Sequence, residues 1–144
     1  MQAIRSFLIV LFMAVASTAV AQQTISISEL VNTKWRVEKN WISDYKEYTL
    51  TEIIWKRKDG SFFKYPYYLT DTPVTSHDKS VFDYSKVGKS KKGSYIVSIN
   101  EKWGGVYCAS IESFDKKKGV LVIKVVTQGL IGASGGIQRY KLVK

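Results

Sequence analysis

Val106-Tyr107-Cys108-Ala109-Ser110-Ile111-Glu112-Ser113-Phe114 and, beyond Lys118-Gly119, Val120-Leu121-Val122-Ile123-Lys124-Val125 decide how this chain is read. In both stretches the side chains change character with a period of two, set by the pleat of a β-strand, and not with the 3.6-residue period of a helix. Tyr107, Ala109 and Ile111 oppose Cys108, Ser110 and Glu112, while Leu121, Ile123 and Val125 oppose Val122 and Lys124. The first set of each pair is expected to face a core. The Lys-Gly pair between them supplies a tight turn, because glycine enters positive φ without a Cβ clash.

The same rhythm continues along the chain. Candidate strands are Lys34–Lys39, Tyr45–Lys56, Ser61–Leu69, Val81–Val87, Ser94–Glu101, Val106–Phe114, Val120–Gln128 and Ile137–Val143, after one helical turn within Ser26–Asn32. Asp59-Gly60, Gly88, Lys92-Gly93, Gly104-Gly105, Lys118-Gly119 and Gly132–Gly136 separate them. Eight strands with short loops favour antiparallel neighbours. The expected fold is all-β, an eight-stranded antiparallel up-and-down barrel, since closure removes exposed edges; a β-sandwich is the runner-up. Alternation places Phe63, Tyr65, Tyr67 and Leu69 on one face of the third strand, Tyr95, Val97 and Ile99 on one face of the fifth, and Tyr140 with Leu142 on one face of the last.

Composition agrees with a single globular domain. The chain has 144 residues, 45% hydrophobic and 24% charged, enough apolar content to bury a core and too much for disorder. One Cys and one His exclude a disulfide scaffold and leave little for a zinc site. At the amino end, Arg5 precedes the apolar run Phe7–Val15 and the small-residue site Ala19-Val20-Ala21, the pattern of a cleaved signal peptide over residues 1–21. That run is too short for the roughly 20 residues that span a bilayer as a helix, so no transmembrane segment is expected. Residues 22–144 then form one exported domain, periplasmic or secreted. A lipid anchor would need Cys at the cut, and Cys108 lies far from it.

Cleavage removes Arg5, so the domain carries one positive charge fewer than the +10 of the full chain. Outside the cytoplasm nucleic acid is not an expected partner; an anionic surface or an acidic protein is. The clusters Lys56-Arg57-Lys58, Lys89-Lys91-Lys92 and Lys116-Lys117-Lys118 each sit beside a glycine. They read as solvated turns that guard strand edges, with an anion-binding rim as the alternative.

The layout from Leu30-Val31-Asn32-Thr33-Lys34-Trp35 to Arg139-Tyr140-Lys141-Leu142 resembles lipocalin-like members of the calycin superfamily, in particular small exported bacterial ones. That family often opens with Gly-x-Trp after a helical turn; here Thr33-Lys34-Trp35 holds the place. The resemblance implies that Arg139 or Lys141 packs across Trp35 as a cation over a ring. Phe114-Asp115-Lys116 stands where the family has Thr-Asp-Tyr. Fatty-acid-binding relatives grip a carboxylate with Arg-x-Tyr on the last strand, but Arg139 and Tyr140 are adjacent and face opposite ways, so that grip is not expected.

An eight-stranded barrel is just wide enough to be filled by its own side chains or to hold one small ligand. Trp55, Phe63, Tyr65, Tyr67, Tyr95, Tyr107, Ile123 and Tyr140 are the candidate ligand-binding wall, apolar surface bearing hydroxyl handles. The leading expectation is a monomeric, non-enzymatic carrier of a small apolar or amphipathic molecule, with no cofactor. The alternative is an interaction protein with a filled barrel and a basic outer surface. Ser76-His77-Asp78 contains triad residue types, but contiguous side chains diverge, and it reads as a polar loop. Gly129–Gly136 leads from strand to strand and so lacks the helix start of a phosphate loop; it reads as a hairpin, or as a lid carrying Leu130 and Ile131. Trp41 and Trp103 fall near loops that could edge an opening. Cys108 is expected to be a buried, inert thiol.

Overall fold

The protein is described from a computed structural model that covers residues 22–38, 44–102, 104–127 and 136–144. Eight strands form a closed antiparallel barrel in chain order: β2 (Thr33–Val37), β3 (Tyr45–Tyr48), β4 (Glu52–Lys56), β5 (Phe62–Thr70), β7 (Tyr95–Asn100), β8 (Gly105–Asp115), β9 (Val120–Val125) and β10 (Ile137–Val143). β10 pairs with both β9 and β2, which closes the ring. The up-and-down barrel expected from the sequence is therefore the fold, and the sandwich is not. A short β1 (Ile25–Ser26) pairs outside the barrel with β6 (Lys92–Gly93) and leads into the single turn of α1 (Ile27–Leu30).

Local chemistry explains these boundaries. The Ser26 amide donates to the Glu29 carboxylate at 3.0 Å, starting α1. Asn32, at φ 64°, ends it in the left-handed region that asparagine tolerates, and its amide donates to the Tyr48 carbonyl. At Gly93 an added Cβ would lie 2.4 Å from the Thr70 backbone nitrogen, so only glycine lets β6 press against the end of β5.

Two expected strands are corrected. Tyr45–Lys56 is not one strand but two, because Thr49 turns the chain: its hydroxyl accepts the amides of Thr51 and Glu52 at 3.3 and 2.9 Å. Val81–Val87 is not a strand. Asp78 accepts the Ser80 amide and Asp83 the Ser85 amide, each starting one 3-10 turn, at Lys79–Val81 and Tyr84–Lys86. The barrel still has eight strands, since one merged strand and one false strand offset each other.

The excursion from β5 to β7, which carries those turns, wraps the outside of the barrel. Val74, Phe82 and Val87 cover Tyr68, Val97, Ile99, Val106 and Cys108 in a second apolar cluster. Phe82 packs at a tilt on Tyr68 at 5.0 Å and Tyr84 meets Phe82 edge-on at 4.8 Å, and the Val106 amide donates to the His77 carbonyl. Elsewhere many outward positions are charged, including Lys34, Arg36, Lys64, Lys124, Arg139 and Lys141, all exposed, with Phe62 and Ile137 as exposed apolar ones. That is the reverse of the apolar girdle a lipid-embedded barrel presents. No helix among the described residues is long and apolar enough to cross a membrane.

The main core fills the base of the barrel. Leu30, Trp35, Tyr48, Tyr67, Leu69, Ile111 and Leu121 are almost completely buried there, and Ile25, Ile27 and Phe114 close it from below. Each such side chain contributes roughly 1.5–3 kcal/mol of apolar burial. Gln23 stitches the amino-terminal segment over this end. Its side chain both accepts from the Phe114 amide and donates to the Phe114 carbonyl, beside the bulge between Ile111 and Ser113.

Candidate functional site

Strand direction assigns the two ends of the barrel. The β3–β4 turn, the wrapping excursion, the β8–β9 turn and α1 lie at the base; the β4–β5 turn and the far ends of the other strands mark the opposite mouth. The base is packed, but toward the mouth the inward side chains change state. Trp55, Phe63, Tyr65, Tyr107, Val37 and Gln138 are only half-buried although they point into the barrel. The upper interior is therefore less tightly packed than the base.

Lys46 stands at the junction of these halves. On β3 it shares the inward face with Tyr48, and register sets it between Trp35 and Trp55, with Phe63 next in the same row. It is 9% exposed, and its ammonium lies 5.0 Å from the ring centres of both Trp55 and Tyr140. Two ring faces favour the cation. Burial acts the other way and lowers the Lys46 pKa from its ordinary value, with a smaller opposing influence from Tyr107. Neither ion pair in the described structure, Lys56 with Glu47 or Lys141 with Glu38, involves it. Every fully enclosed polar side-chain atom among the described residues has a hydrogen-bond partner. The Lys46 ammonium makes no hydrogen bond to another described residue, and the two ring faces are its described partners.

Hydrogen-bond donors surround it. The Tyr140 hydroxyl donates to Gln138 Oε1 at 2.6 Å. Burial raises the pKa of the Tyr107 phenol, as it does for Tyr48, Tyr67 and Tyr140, so all four are neutral at physiological pH. The acid nearest the mouth on the inward face, Asp44, accepts the Trp55 indole N–H at 3.0 Å, and Arg57 covers the Phe63 ring at 4.9 Å. No strand residue on the described inward face is a carboxylate.

The eight sequence-derived wall residues divide accordingly. Trp55, Phe63, Tyr65 and Tyr107 line the open half, and Tyr140 forms its floor beside Lys46. Ile123 and Tyr67 point inward but are packed in the core. The Tyr67 hydroxyl donates to the Thr49 carbonyl at the base, and its ring meets that of Tyr48 edge-on at 5.6 Å. Tyr95 is a correction: it pairs with Ser110 on the outer face and packs in the second cluster. Val97 and Ile99 lie outside with it, because the excursion makes that outer face apolar while Ile96 and Ser98 face inward. Lys46 was not among the candidates.

The expected cation over Trp35 is also corrected. Arg139 and Lys141 lie on the outer face, Lys141 pairing with Glu38 at 3.5 Å, and the ring beside Trp35 is Phe114 at 5.7 Å. Thr33 takes a different role, accepting the Trp35 indole N–H at 2.7 Å while donating to the Leu30 carbonyl. Ser76-His77-Asp78 is turn structure, with the Asp78 amide donating to the Ser76 hydroxyl. Cys108 is fully buried under the excursion, and burial pushes its thiol up to about 11. Trp41, Trp103, Leu130 and Ile131 lie outside the described residues.

Two grooves open on the outside. One of about 430 Å³ lies between Gln23, Glu29 and Asp115–Lys117. The other, about 330 Å³, is lined by Ser85, Lys86, Lys89, Ser90, Lys91 and Lys92 with Thr70 and Asp71. Among the described residues no group of three or more His, Cys, Asp or Glu side chains could hold a metal ion.

The class defined by this geometry is a closed, eight-stranded antiparallel up-and-down barrel with a packed base and a less tightly packed, aromatic-lined upper half. Comparison with family models, with curated proteins and with solved structures finds no match.

Proposed function

We propose that this protein is an exported, lipocalin-like binding protein that holds one small apolar or amphipathic molecule in the upper half of its barrel. One observation carries the reading: the inward aromatic wall of Trp55, Phe63, Tyr65 and Tyr107 stays only partly buried above a fully packed base. A barrel filled for stability alone gains by burying such rings. Leaving them accessible sacrifices part of the roughly 1.5–3 kcal/mol that each could contribute, a cost that a bound apolar body would recover. Export is supported by the signal pattern of residues 1–21 and by Gln23, which anchors the chain two residues past the expected cut. Titration with 8-anilinonaphthalene-1-sulfonate or another environment-sensitive apolar dye tests the reading. Saturable uptake at one site, weakened by Trp55→Ala or Tyr107→Ala and unaffected by Tyr95→Ala, is expected; no saturable uptake overturns it.

A second reading has its own observation. The groove bearing Lys86, Lys89, Lys91 and Lys92 concentrates positive charge on one side of the base and suits an acidic protein or envelope polymer. Binding there would fall steeply with salt, whereas uptake of an uncharged body into the barrel would not.

A further inference from the structure

We infer that the barrel selects an amphipathic molecule with an anionic head, a carboxylate being the simplest, and that Lys46 meets that head on the chamber floor. The inference rests on the proposed function and sharpens it to a ligand class. On the described inward strand positions Lys46 is the one cation, and it makes no ion pair; the carboxylate on that side, Asp44, stands at the mouth on the Trp55 indole. The Lys46 ammonium touches two ring faces and has no hydrogen bond or ion pair among the described residues, beneath the less tightly packed rings of Trp55 and Tyr107. A buried charge normally persists only when paired, and here the rings satisfy it in part. The remaining partner is one that arrives from outside. A nearby polar group fits the same head: the phenol of Tyr107 is neutral, while that of Tyr140 already donates to Gln138. Arg57 at the mouth adds attraction on the way in. A cationic head would find no acid on the floor, because Asp44 sits at the mouth and is engaged by Trp55.

The floor also limits length. Along β5, packed Tyr67 and half-open Phe63 are four residues apart, about 13 Å of strand, or roughly 10 Å along the axis of a barrel tilted near 40°.

The test compares octanoate, 1-octanol and 1-octylamine, which share one apolar body, by calorimetric titration of the purified protein, with displacement of the apolar dye as a second readout. A charge-assisted hydrogen bond in a water-poor site corresponds to about tenfold or more in affinity. Octanoate is expected to bind at least tenfold tighter than octanol, and octylamine more weakly than either. Lys46→Met and Lys46→Gln, each checked for an intact thermal transition, are expected to bring octanoate down to the octanol level while octanol binding holds. If octanol and octanoate bind the unaltered protein equally, or both variants keep the octanoate preference, the anionic-head inference is overturned while the binding chamber stands. If neither octanol nor octanoate nor the dye binds, the chamber reading falls and takes the inference with it.

Discussion

Replacing Lys46 by methionine is expected to make the protein more stable, an unusual outcome for a buried position. In the folded barrel the ammonium has lost most of its water and gained no carboxylate, a penalty of several kcal/mol. Two ring faces at 5.0 Å return about 1–2 kcal/mol each. Methionine keeps most of the aliphatic stem that packs against Trp55 and removes the uncompensated charge, so a gain of about 1–3 kcal/mol is expected at pH 7. For a barrel of this size that raises Tm by about 3–10 °C. The sign with pH follows from the lowered Lys46 pKa. The penalty is complete below the folded-state pKa and disappears as pH rises from there to the ordinary value of 10.5. The advantage of the variant should therefore shrink on going from pH 7 toward 10.5. The groups facing Lys46, the Tyr107 and Tyr140 phenols with Asp44 at the mouth, are common to both proteins and largely cancel in the difference. Paired urea or thermal melts between pH 7 and 10 read this directly. A variant less stable than the parent at pH 7, or a gain that stays constant over that range, would refute the picture of an unpaired buried cation.

Four further outcomes follow from the geometry. Thr33→Val strips the Trp35 indole of its acceptor in a fully buried site and should cost about 1–3 kcal/mol in urea unfolding; a change under about 0.5 kcal/mol would mean the indole finds another partner. Phe82→Ala should loosen the excursion and speed the reaction of Cys108 with a thiol reagent at pH 8 by tenfold or more, against a parent thiol that is shielded and largely protonated; equal rates would show that Phe82 does not guard it. Burial holds the Tyr48, Tyr67 and Tyr140 phenols neutral in the folded state, so the stability this represents is complete below pH 10 and lost as pH rises above it; a urea midpoint flat from pH 9 to 11 would contradict that. Tyr95→Phe should leave dye and octanoate binding unchanged, because the ring lies outside the barrel, and a loss of binding would return Tyr95 to the wall.

The closed barrel was legible because its determinants are local. Period-two alternation marked most strands, and glycines marked hairpins, with Gly60, Gly104 and Gly119 all at positive φ as a tight turn requires. What escaped detection lacked those markers. The bend at Thr49–Thr51 contains neither glycine nor proline and is made by a threonine hydroxyl, which composition does not reveal. Residues 81–87 alternate like a strand, but two aspartate side chains capture the backbone first. On β7 both faces are apolar, one turned to the core and one to the excursion, so polarity could not tell inside from outside and Tyr95 was assigned to the wrong face. Lys46 was missed because a lysine in an alternating strand reads as solvent-facing. The available signal was its i, i+2 relation to Tyr48, which puts both on one side of the pleat.

Ring closure depends on β10, the one strand that joins β9 back to β2. Until Ile137–Val143 is available, β2 and β9 each present an unpaired edge of backbone donors and acceptors. A shortened product ending before residue 137 would keep nearly all of its core residues and yet expose two sticky borders, so it should self-associate into sheets rather than persist as a slightly weakened barrel. Frameshifts and nicks near the carboxyl end would thus be more damaging than their few lost contacts imply.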